Sequence, residues 1–155
     1  MSFQLTSPSF KNGEPIPPKF TCDAADVSPT LAWTAPPEKT QSFVLINDDP
    51  DCNGPAWVHW LIYNIPSKVR ELKEAMSTEA SLPDGTLQGL NDFKRVGYGG
   101  PCPPSGVHHY SFKLYALDVV LKLAAKATKP QIESAMKGHI LAETQLIGTY
   151  VRAGR

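Results

Sequence analysis

Proline is the residue type that most restricts how this chain can fold. The sequence of 155 residues contains 15 prolines, roughly twice the average frequency of about 5%. Inside a helix each proline removes an N–H donor and its ring clashes with the preceding turn. The composition therefore favours strands and loops over a helix bundle.

Length and charge narrow the class of protein further. Domains commonly contain about 100–150 residues, so we expect a single domain over residues 1–155. The formal net charge at pH 7 is +0, which removes the usual electrostatic basis for binding nucleic acid or an anionic membrane. The N-terminus carries no signal segment, and no apolar run reaches the ~20 residues of a membrane span. We therefore expect a cytoplasmic protein, or a mature chain whose signal has already been removed, with no stable membrane anchoring.

Four apolar segments predict strands. Residues 30–33 lie between prolines, and residues 42–47 form an almost continuous apolar run that suits a buried strand. Residues 58–64 and 110–117 are rich in β-branched and aromatic side chains. Residues 83–106 are rich in glycine and proline and predict a long loop, a kind of segment that is often functional.

The clearest helix signal begins at Thr128, which forms a capping box with Gln131 and is followed by a proline in the first turn. Side chains then recur at helical spacing: Ile132, Ala135, Met136, His139 and Ile140. Gly148 is the predicted stop, and a weaker helix is predicted over residues 69–76. Together these elements predict a mainly β, antiparallel fold with peripheral helices.

Reactive side chains gather in three segments, at residues 48–51, 57–60 and 97–110. Strand alternation places His59 on one face with Leu61 and Tyr63, and His108 on one face with Tyr110. Asp49, at the end of a predicted strand, is the carboxylate expected to join the two histidines. His109 is expected to point the opposite way.

These groups suit an anionic ligand. The imidazoles, the Tyr110 phenol and the backbone N–H groups of Gly97, Gly99 and Gly100 are hydrogen-bond donors that can converge on an anion. A nearby carboxylate favours protonation of the histidines, and Trp57 offers an aromatic face to a cation. The set fits a phosphate ester, or a zwitterion such as phosphoethanolamine.

Other interpretations remain open at this stage. Asp49, His59 and His108 form a possible metal site, and Cys102 with a histidine forms a possible nucleophile pair, although neither spacing demands it. Each segment alone is more often structural than functional. His139 is expected to pack on the apolar face of the helix.

Several motifs in this order resemble the phosphatidylethanolamine-binding protein family, and most closely its bacterial and archaeal branch of Raf kinase inhibitor-like proteins. The matching segments are Ser28-Pro-Thr-Leu-Ala-Trp33, Asp48-Asp-Pro-Asp51, His59-Trp60, Tyr63-Asn-Ile-Pro66, Gly97-Tyr-Gly-Gly-Pro-Cys-Pro-Pro-Ser-Gly106, His108-His-Tyr110, Leu114-Tyr-Ala-Leu-Asp118, Gly138-His-Ile-Leu141 and Gly148-Thr-Tyr150. The similarity runs through nearly the whole chain.

The resemblance implies a large central antiparallel sheet packed with a smaller sheet, peripheral helices and a small anion pocket. The pocket residues implied by motif are Asp49, Trp57, His59, Gly100, Pro101, His108 and Tyr110. No metal or cofactor is expected.

Three departures from the family pattern stand out. Cys52 and Asn53 follow Asp51, so the loop there is expected to differ in shape. His109 replaces an arginine that is common in the family, so an ion pair is expected to be lost. Lys94 and Arg95 stand where relatives often carry a small residue, which is expected to make the approach to the pocket more positive.

The three cysteines form no closed disulfide framework, so three reduced thiols are the simplest expectation. Cys52 and Cys102 are both expected near the pocket rim, where pairing or oxidation is possible. A fold that brings Cys102 close to Cys22 instead is the alternative that the sequence leaves open.

Three functions compete. The leading one is non-catalytic binding of a small phosphorylated or anionic ligand. The second, implied by the resemblance, is inhibition of serine proteases or regulation of a kinase pathway through the proline-rich pocket rim. A hydrolase ranks last because no activated nucleophile is evident. The resemblance also makes a homodimer reasonable.

Overall fold

The computed structural model describes residues 2–52 and 54–152, and in this part of the chain eight strands form two antiparallel sheets. The smaller sheet has the order β1-β2-β5 and the larger sheet has the order β6-β4-β3-β7-β8. The elements are β1 (Leu5–Thr6), β2 (Leu31–Trp33), β3 (Ser42–Asp49), β4 (Trp57–Pro66), β5 (Glu71–Leu72), β6 (Leu87–Gln88), β7 (His108–Leu117), α1 (Lys129–Met136) and β8 (Ile140–Tyr150). The predicted mainly β fold is confirmed, and in these residues α1 is the single α-helix.

Strand β3 is the centre of the molecule because every one of its residues is buried. Its side chains alternate between two apolar layers. Phe43 and Leu45 face the layer between the two sheets, where Phe43 packs against Trp33 of β2 with ring centroids 5.3 Å apart. Val44 and Ile46 face a second layer that α1 closes with Ile132 and Met136. The continuous apolar run of residues 42–47 thus reflects burial on both faces of the sheet.

The predicted strands are all present, and several are longer than predicted. Strand β3 continues to Asp49, β4 begins at Trp57 and β7 begins at His108. The predicted loop over residues 83–106 contains the short strand β6, which sequence reasoning missed. Gln88 of β6 accepts a hydrogen bond from Trp60 Nε1 at 2.7 Å, so this edge strand is anchored by a side chain as well as by its backbone.

The long helix predicted from Thr128 is wrong beyond Met136. The helix begins as predicted, with Gln131 Oε1 accepting a hydrogen bond from the backbone N–H of Thr128 at 2.9 Å. Gly138 has φ +84°, a conformation that glycine adopts readily and that ends helices. The chain then forms β8, which pairs with β7 from His108 to Leu117.

Three related expectations change with this correction. Gly148 lies inside β8 and is not a helix stop, since a Cβ atom there would collide with the Ile16 side chain. His139 lies after the helix, half-exposed, with its Nδ1 atom 2.9 Å from Asp118 Oδ1. The weaker helix predicted over residues 69–76 is also wrong, because β5 pairs there with β2. Among the described residues, no helix has the length and apolar character needed to cross a membrane.

Candidate functional site

A β-bulge in β4 brings His59 into the candidate site. Asn47 of β3 pairs with Trp60 and Asp48 pairs with Val58, so His59 is one extra residue between two register positions. Val58 therefore packs in the helix-side layer with Leu61 and Tyr63. The predicted alternation, which grouped His59 with Leu61 and Tyr63, is wrong because the bulge shifts the alternation for Val58 and His59 relative to the rest of the strand.

The bulge turns the His59 ring toward strand β7. Its centroid lies 5.2 Å from that of Tyr110, at an interplanar angle of 78°. Tyr110 and His108 stack with centroids 6.4 Å apart, as expected for residues i and i+2 of one strand. The two histidines and the tyrosine predicted to meet do line one pocket.

Asp49 and His108 form the polar end of this pocket. His108 Nδ1 lies 2.6 Å from Asp49 Oδ2, and the other oxygen, Oδ1, accepts the backbone N–H of Asp51 at 2.7 Å. The side chains of Asp49 and His108 are 6% and 13% exposed, so the pair is largely shielded from solvent. These contacts hold the end of β3 against the start of β7.

His59 is held from the opposite side. Its Nδ1 atom lies 2.6 Å from the carbonyl oxygen of Gly99, and the residue is only 3% exposed. Burial lowers the pKa of His59, and this effect outweighs the attraction of Asp49 and other carboxylates for a proton. The nearby carboxylates do favour protonation as expected, but burial is the larger effect, so the pKa of His59 lies below its ordinary value of 6.5 and the ring is mainly neutral at pH 7.

The pocket has a volume of about 210 Å³ and largely aromatic walls. Its lining residues are Asp49, Cys52, Trp57, His59, Phe93, Cys102, Pro103, Pro104, His108 and Tyr110. Phe93 lies edge-on to both Trp57 and His59, with centroids 5.5 and 5.4 Å away. Burial raises the pKa of Tyr110 far above its ordinary value, so its phenol keeps its proton at neutral pH.

Gly100 and Pro101 lie behind this pocket and are not among its lining residues. The N–H of Gly100 donates to Asp26 Oδ1 at 2.8 Å, and the N–H of Gly99 donates to the His59 carbonyl at 3.0 Å. The expectation that the N–H groups of Gly99 and Gly100 converge on an anion is therefore wrong, because both already have protein acceptors. Gly100 instead permits close packing, since a Cβ atom there would collide with the Phe20 carbonyl oxygen.

Cys22 and Cys102 form a disulfide bond, and Cys52 is free. The expectation of three reduced thiols is wrong, and so is a Cys52–Cys102 pair, because folding places residues 20–26 against the proline-rich rim. In this bonded state Cys102 is not a thiol nucleophile. Cys52 lines the pocket as predicted, and its Sγ atom lies 3.1 Å from the Pro55 carbonyl oxygen.

The metal interpretation fails on geometry. Among the described residues, no group of three or more histidine, cysteine or acidic side chains is arranged to hold a metal ion. The bond between His108 Nδ1 and Asp49 joins two of the proposed ligands to each other.

The structure shows the surroundings of two of the three departures from the family pattern, those at His109 and at Arg95. The third, at Cys52 and Asn53, lies partly outside the described residues. His109 keeps a polar pairing at the position of the arginine, since Asp51 Oδ2 lies 2.7 Å from its Nδ1 and also accepts its backbone N–H at 2.7 Å. A hydrogen-bonded contact with Asp51 is therefore present at this position, in place of the permanent charge that an arginine would carry. This bonding lowers the pKa of the Asp51 carboxyl.

The Arg95 guanidinium lies 5.5 Å from the centroid of Phe93. Cys52 lines the pocket, whereas Asn53 is outside the described residues.

Phe93 and Asp26 are the site residues that sequence reasoning missed. Both lie in irregular segments, where no periodicity indicates which way a side chain points. The sequence indicated these two residues only indirectly, through their nearness to Asp92 and Cys22. The pocket-wall residues Pro103 and Pro104, in contrast, could be expected because the rim segment is rich in proline.

A larger cavity, of about 410 Å³, lies beside the N-terminus of α1. Two of its charged lining groups are already engaged, since Lys129 Nζ lies 2.8 Å from Asp48 Oδ2 and Asp92 Oδ2 accepts the N–H of Val58 at 2.7 Å. We therefore place the candidate site in the smaller pocket, where the Nε2 atoms of His59 and His108 have no hydrogen-bond partner among the described residues.

Comparison with known proteins places these observations in a family context. A family model described as phosphatidylethanolamine-binding protein matches residues 6–151. A UPF0098 protein of Methanothermobacter thermautotrophicus is 47% identical over 148 residues, covering 96% of this chain and 98% of the relative. A UPF0098 protein of Aquifex aeolicus is 49% identical over 152 residues, covering 96% of this chain and 88% of the relative.

Two solved structures are similar over nearly their full lengths. A putative phosphatidylethanolamine-binding protein homologue from Chlamydia trachomatis gives a TM-score of 0.89 at 41% identity, covering 97% of this chain and 98% of that chain. E. coli YbcL, described as a member of the mammalian PEBP family, gives a TM-score of 0.90 at 32% identity, covering 98% of this chain and 99% of that chain.

Proposed function

Because this chain belongs to the phosphatidylethanolamine-binding protein family, we propose that it binds a small phosphorylated or anionic ligand, without catalysis, in the pocket between His59 and His108. The observation that carries the proposal is the way in which the two rings are held. Each has its Nδ1 atom bonded to a protein acceptor, Gly99 O or Asp49 Oδ2. The Nε2 atom of each ring is therefore the one available to a ligand.

The pocket walls support a phosphoethanolamine-like headgroup. The Tyr110 phenol is a donor for an anionic oxygen, while Trp57, which is 38% exposed, presents an aromatic face at the mouth. An ammonium group over such a face gains about 0.5–1 kcal/mol at an exposed site. A cavity of about 210 Å³ suits a headgroup better than an acyl chain.

The lining residues also support binding without chemistry. Cys102 is bonded to Cys22, and the Cys52 thiol lies within hydrogen-bond reach of the carbonyl oxygens of Asp49 and Pro55. Both partners are carbonyl acceptors, and among the described residues no basic side chain is hydrogen-bonded to this thiol.

Calorimetric titration with phosphoethanolamine and inorganic phosphate tests this function. We expect binding by the wild type and at least a tenfold weaker affinity in His108→Ala, because this change removes a hydrogen-bonding group from the pocket and leaves Asp49 without its partner. His139→Ala is the matched control, since His139 also pairs with an aspartate but lies outside the pocket. No binding by the wild type, or equal binding by folded His108→Ala, would contradict the proposal.

A role for the rim as a protein-binding surface is the second proposal. Residues 104–107 are exposed, and Val107 is 57% exposed, which favours contact with a partner such as a serine protease or a kinase. Protease inhibition assays with wild type and Val107→Ser test it. An unchanged protease rate at saturating protein would argue against the protease form of this role.

A further inference from the structure

The hydrogen bonds of His59 determine which of its ring nitrogens carries hydrogen. The Gly99 carbonyl oxygen, 2.6 Å from Nδ1, can only accept, so Nδ1 must carry the hydrogen. The ring is buried, and burial lowers its pKa, so it carries a single hydrogen at neutral pH. Nε2 therefore offers a lone pair, and it accepts hydrogen bonds where a charged histidine would donate them.

The charged and titratable groups around His59 do not reverse this state. They come from strand β3, strand β7 and two loops, and they are Asp48, Asp49, His108, Tyr110, Asp26 and, across the Phe93 ring, Arg95. Among the described residues, none that line the pocket is lysine or arginine. The Asp49 carboxylate lines the same pocket and is a second acceptor, and the Tyr110 hydroxyl is a donor.

Two acceptors in one pocket discriminate between oxyanions. A sulfate ester has no hydrogen on its anionic oxygens at neutral pH, so its oxygens meet the lone pairs of His59 and Asp49. A phosphate diester is also without such a hydrogen. A phosphate monoester, with a second pKa near 6, exists partly as a singly protonated form whose P–O–H group can donate.

Resting on the proposed function, we propose that His59 Nε2 accepts a hydrogen from the ligand, so that the pocket selects phosphate monoesters in their singly protonated form over sulfate esters and phosphate diesters. A sulfate ester or a phosphate diester would bring an acceptor oxygen against the acceptor Nε2, and two buried acceptors that face each other without a hydrogen between them are strongly unfavourable. The selected chemistry is the monoester group itself, whether it comes from a free metabolite or from a monoester lipid headgroup.

Calorimetry with three ethanolamine derivatives tests the selection. The probes are phosphoethanolamine, ethanolamine O-sulfate and glycerophosphoethanolamine, the last representing a diester lipid headgroup. At pH 6, about half of the monoester is singly protonated. We expect phosphoethanolamine to bind at least tenfold more tightly than either of the other two probes. Its apparent affinity, calculated from the total ligand concentration, should weaken about tenfold per pH unit above pH 7.

A variant assigns the selection to His59. Folded His59→Gln offers an amide that can donate or accept, so we expect the preference for monoester over sulfate ester to fall below about threefold. His139→Gln should keep the wild-type preference. Cooperative thermal unfolding checks that His59→Gln is folded. If it is not, the comparison of the three probes with the wild type still tests whether the pocket selects monoesters.

The outcomes separate this inference from the proposed function. Equal binding of monoester and sulfate ester by the wild type would overturn the inference and leave anion binding intact. A wild-type preference that persists in folded His59→Gln would overturn the assignment to His59. If no probe binds, the proposed function fails and the inference fails with it.

Discussion

Among single residues, Asp26 holds the pocket rim from behind. Its Oδ1 atom accepts the N–H of Gly100, two residues before the disulfide-bonded Cys102. Asp26 has φ +56°, a conformation in which aspartate and asparagine are enriched. One side chain thus satisfies a backbone donor of the rim and occupies a left-handed turn.

We expect Asp26→Ala to lower the free energy of unfolding by about 1–3 kcal/mol, because it leaves the N–H of Gly100 without an acceptor. Asp26→Asn is the matched control and should stay close to wild type, since the amide oxygen can accept the same bond. Urea unfolding of the three proteins measures the difference. Equal losses in both variants would show that the charge, and not the hydrogen bond, matters.

His59 gives a pH-dependent stability of predictable sign. Its pKa in the folded protein lies below the ordinary value of 6.5, so the unfolded chain binds the proton more readily. Its contribution is therefore fully present above pH 6.5 and is lost as the pH falls below that value. The stability of the wild type relative to His59→Gln should decline from pH 7 to pH 5, as measured by urea unfolding. A difference that is constant or that grows toward acid would contradict the buried neutral state.

At the scale of elements, an ion pair attaches α1 to the large sheet. Asp48 of β3 is only 1% exposed, and its Oδ2 atom lies 2.8 Å from Lys129 Nζ, while Lys113 Nζ lies 3.8 Å from Oδ1. A buried carboxylate without a partner is costly. The first residue of α1 is therefore tied to the central strand.

Lys129→Met should destabilise the protein by about 2–3 kcal/mol, less than the ~3–5 kcal/mol of a fully broken buried pair, because Lys113 remains nearby. Adding Asp48→Asn should recover part of this loss. A double-mutant cycle by chemical unfolding gives the coupling. If the two losses simply add, the pair contributes nothing specific.

The elements also show how far sequence reasoning reaches. Strands β3 and β4 were predictable because burial on both faces leaves long apolar runs, and β7 was predictable because it is rich in aromatic and aliphatic residues. Strand β8 was not, because Ile132, Met136 and Ile140 happen to continue a helical spacing past the helix end. Only the pairing of β8 with β7 decides its structure, and such long-range pairing leaves no local signal. Within the site, the conjunction of Asp49, His59 and His108 was predictable, whereas the bulge that orients His59 depends on the register with β3.

For the whole molecule, the Cys22–Cys102 disulfide joins positions 80 residues apart. Closing a loop of that size restricts the unfolded chain, by about 4 kcal/mol in the chain-entropy model and usually less in practice. We expect the double variant Cys22→Ser, Cys102→Ser to lose about 2–4 kcal/mol of unfolding free energy. A reducing agent should destabilise the wild type but not this variant, and Cys52→Ser should respond to the agent as the wild type does.

The same bond changes the connectivity of the chain. Residues 22–102 form a covalent ring that contains β2 to β6, whereas β1, β7, α1 and β8 lie on the two tails outside it. The large sheet is therefore built from both parts, since β3 of the ring pairs with β7 of a tail. A protease that cuts within the ring opens it into a branched molecule without releasing a fragment. A cut in either tail has no such protection.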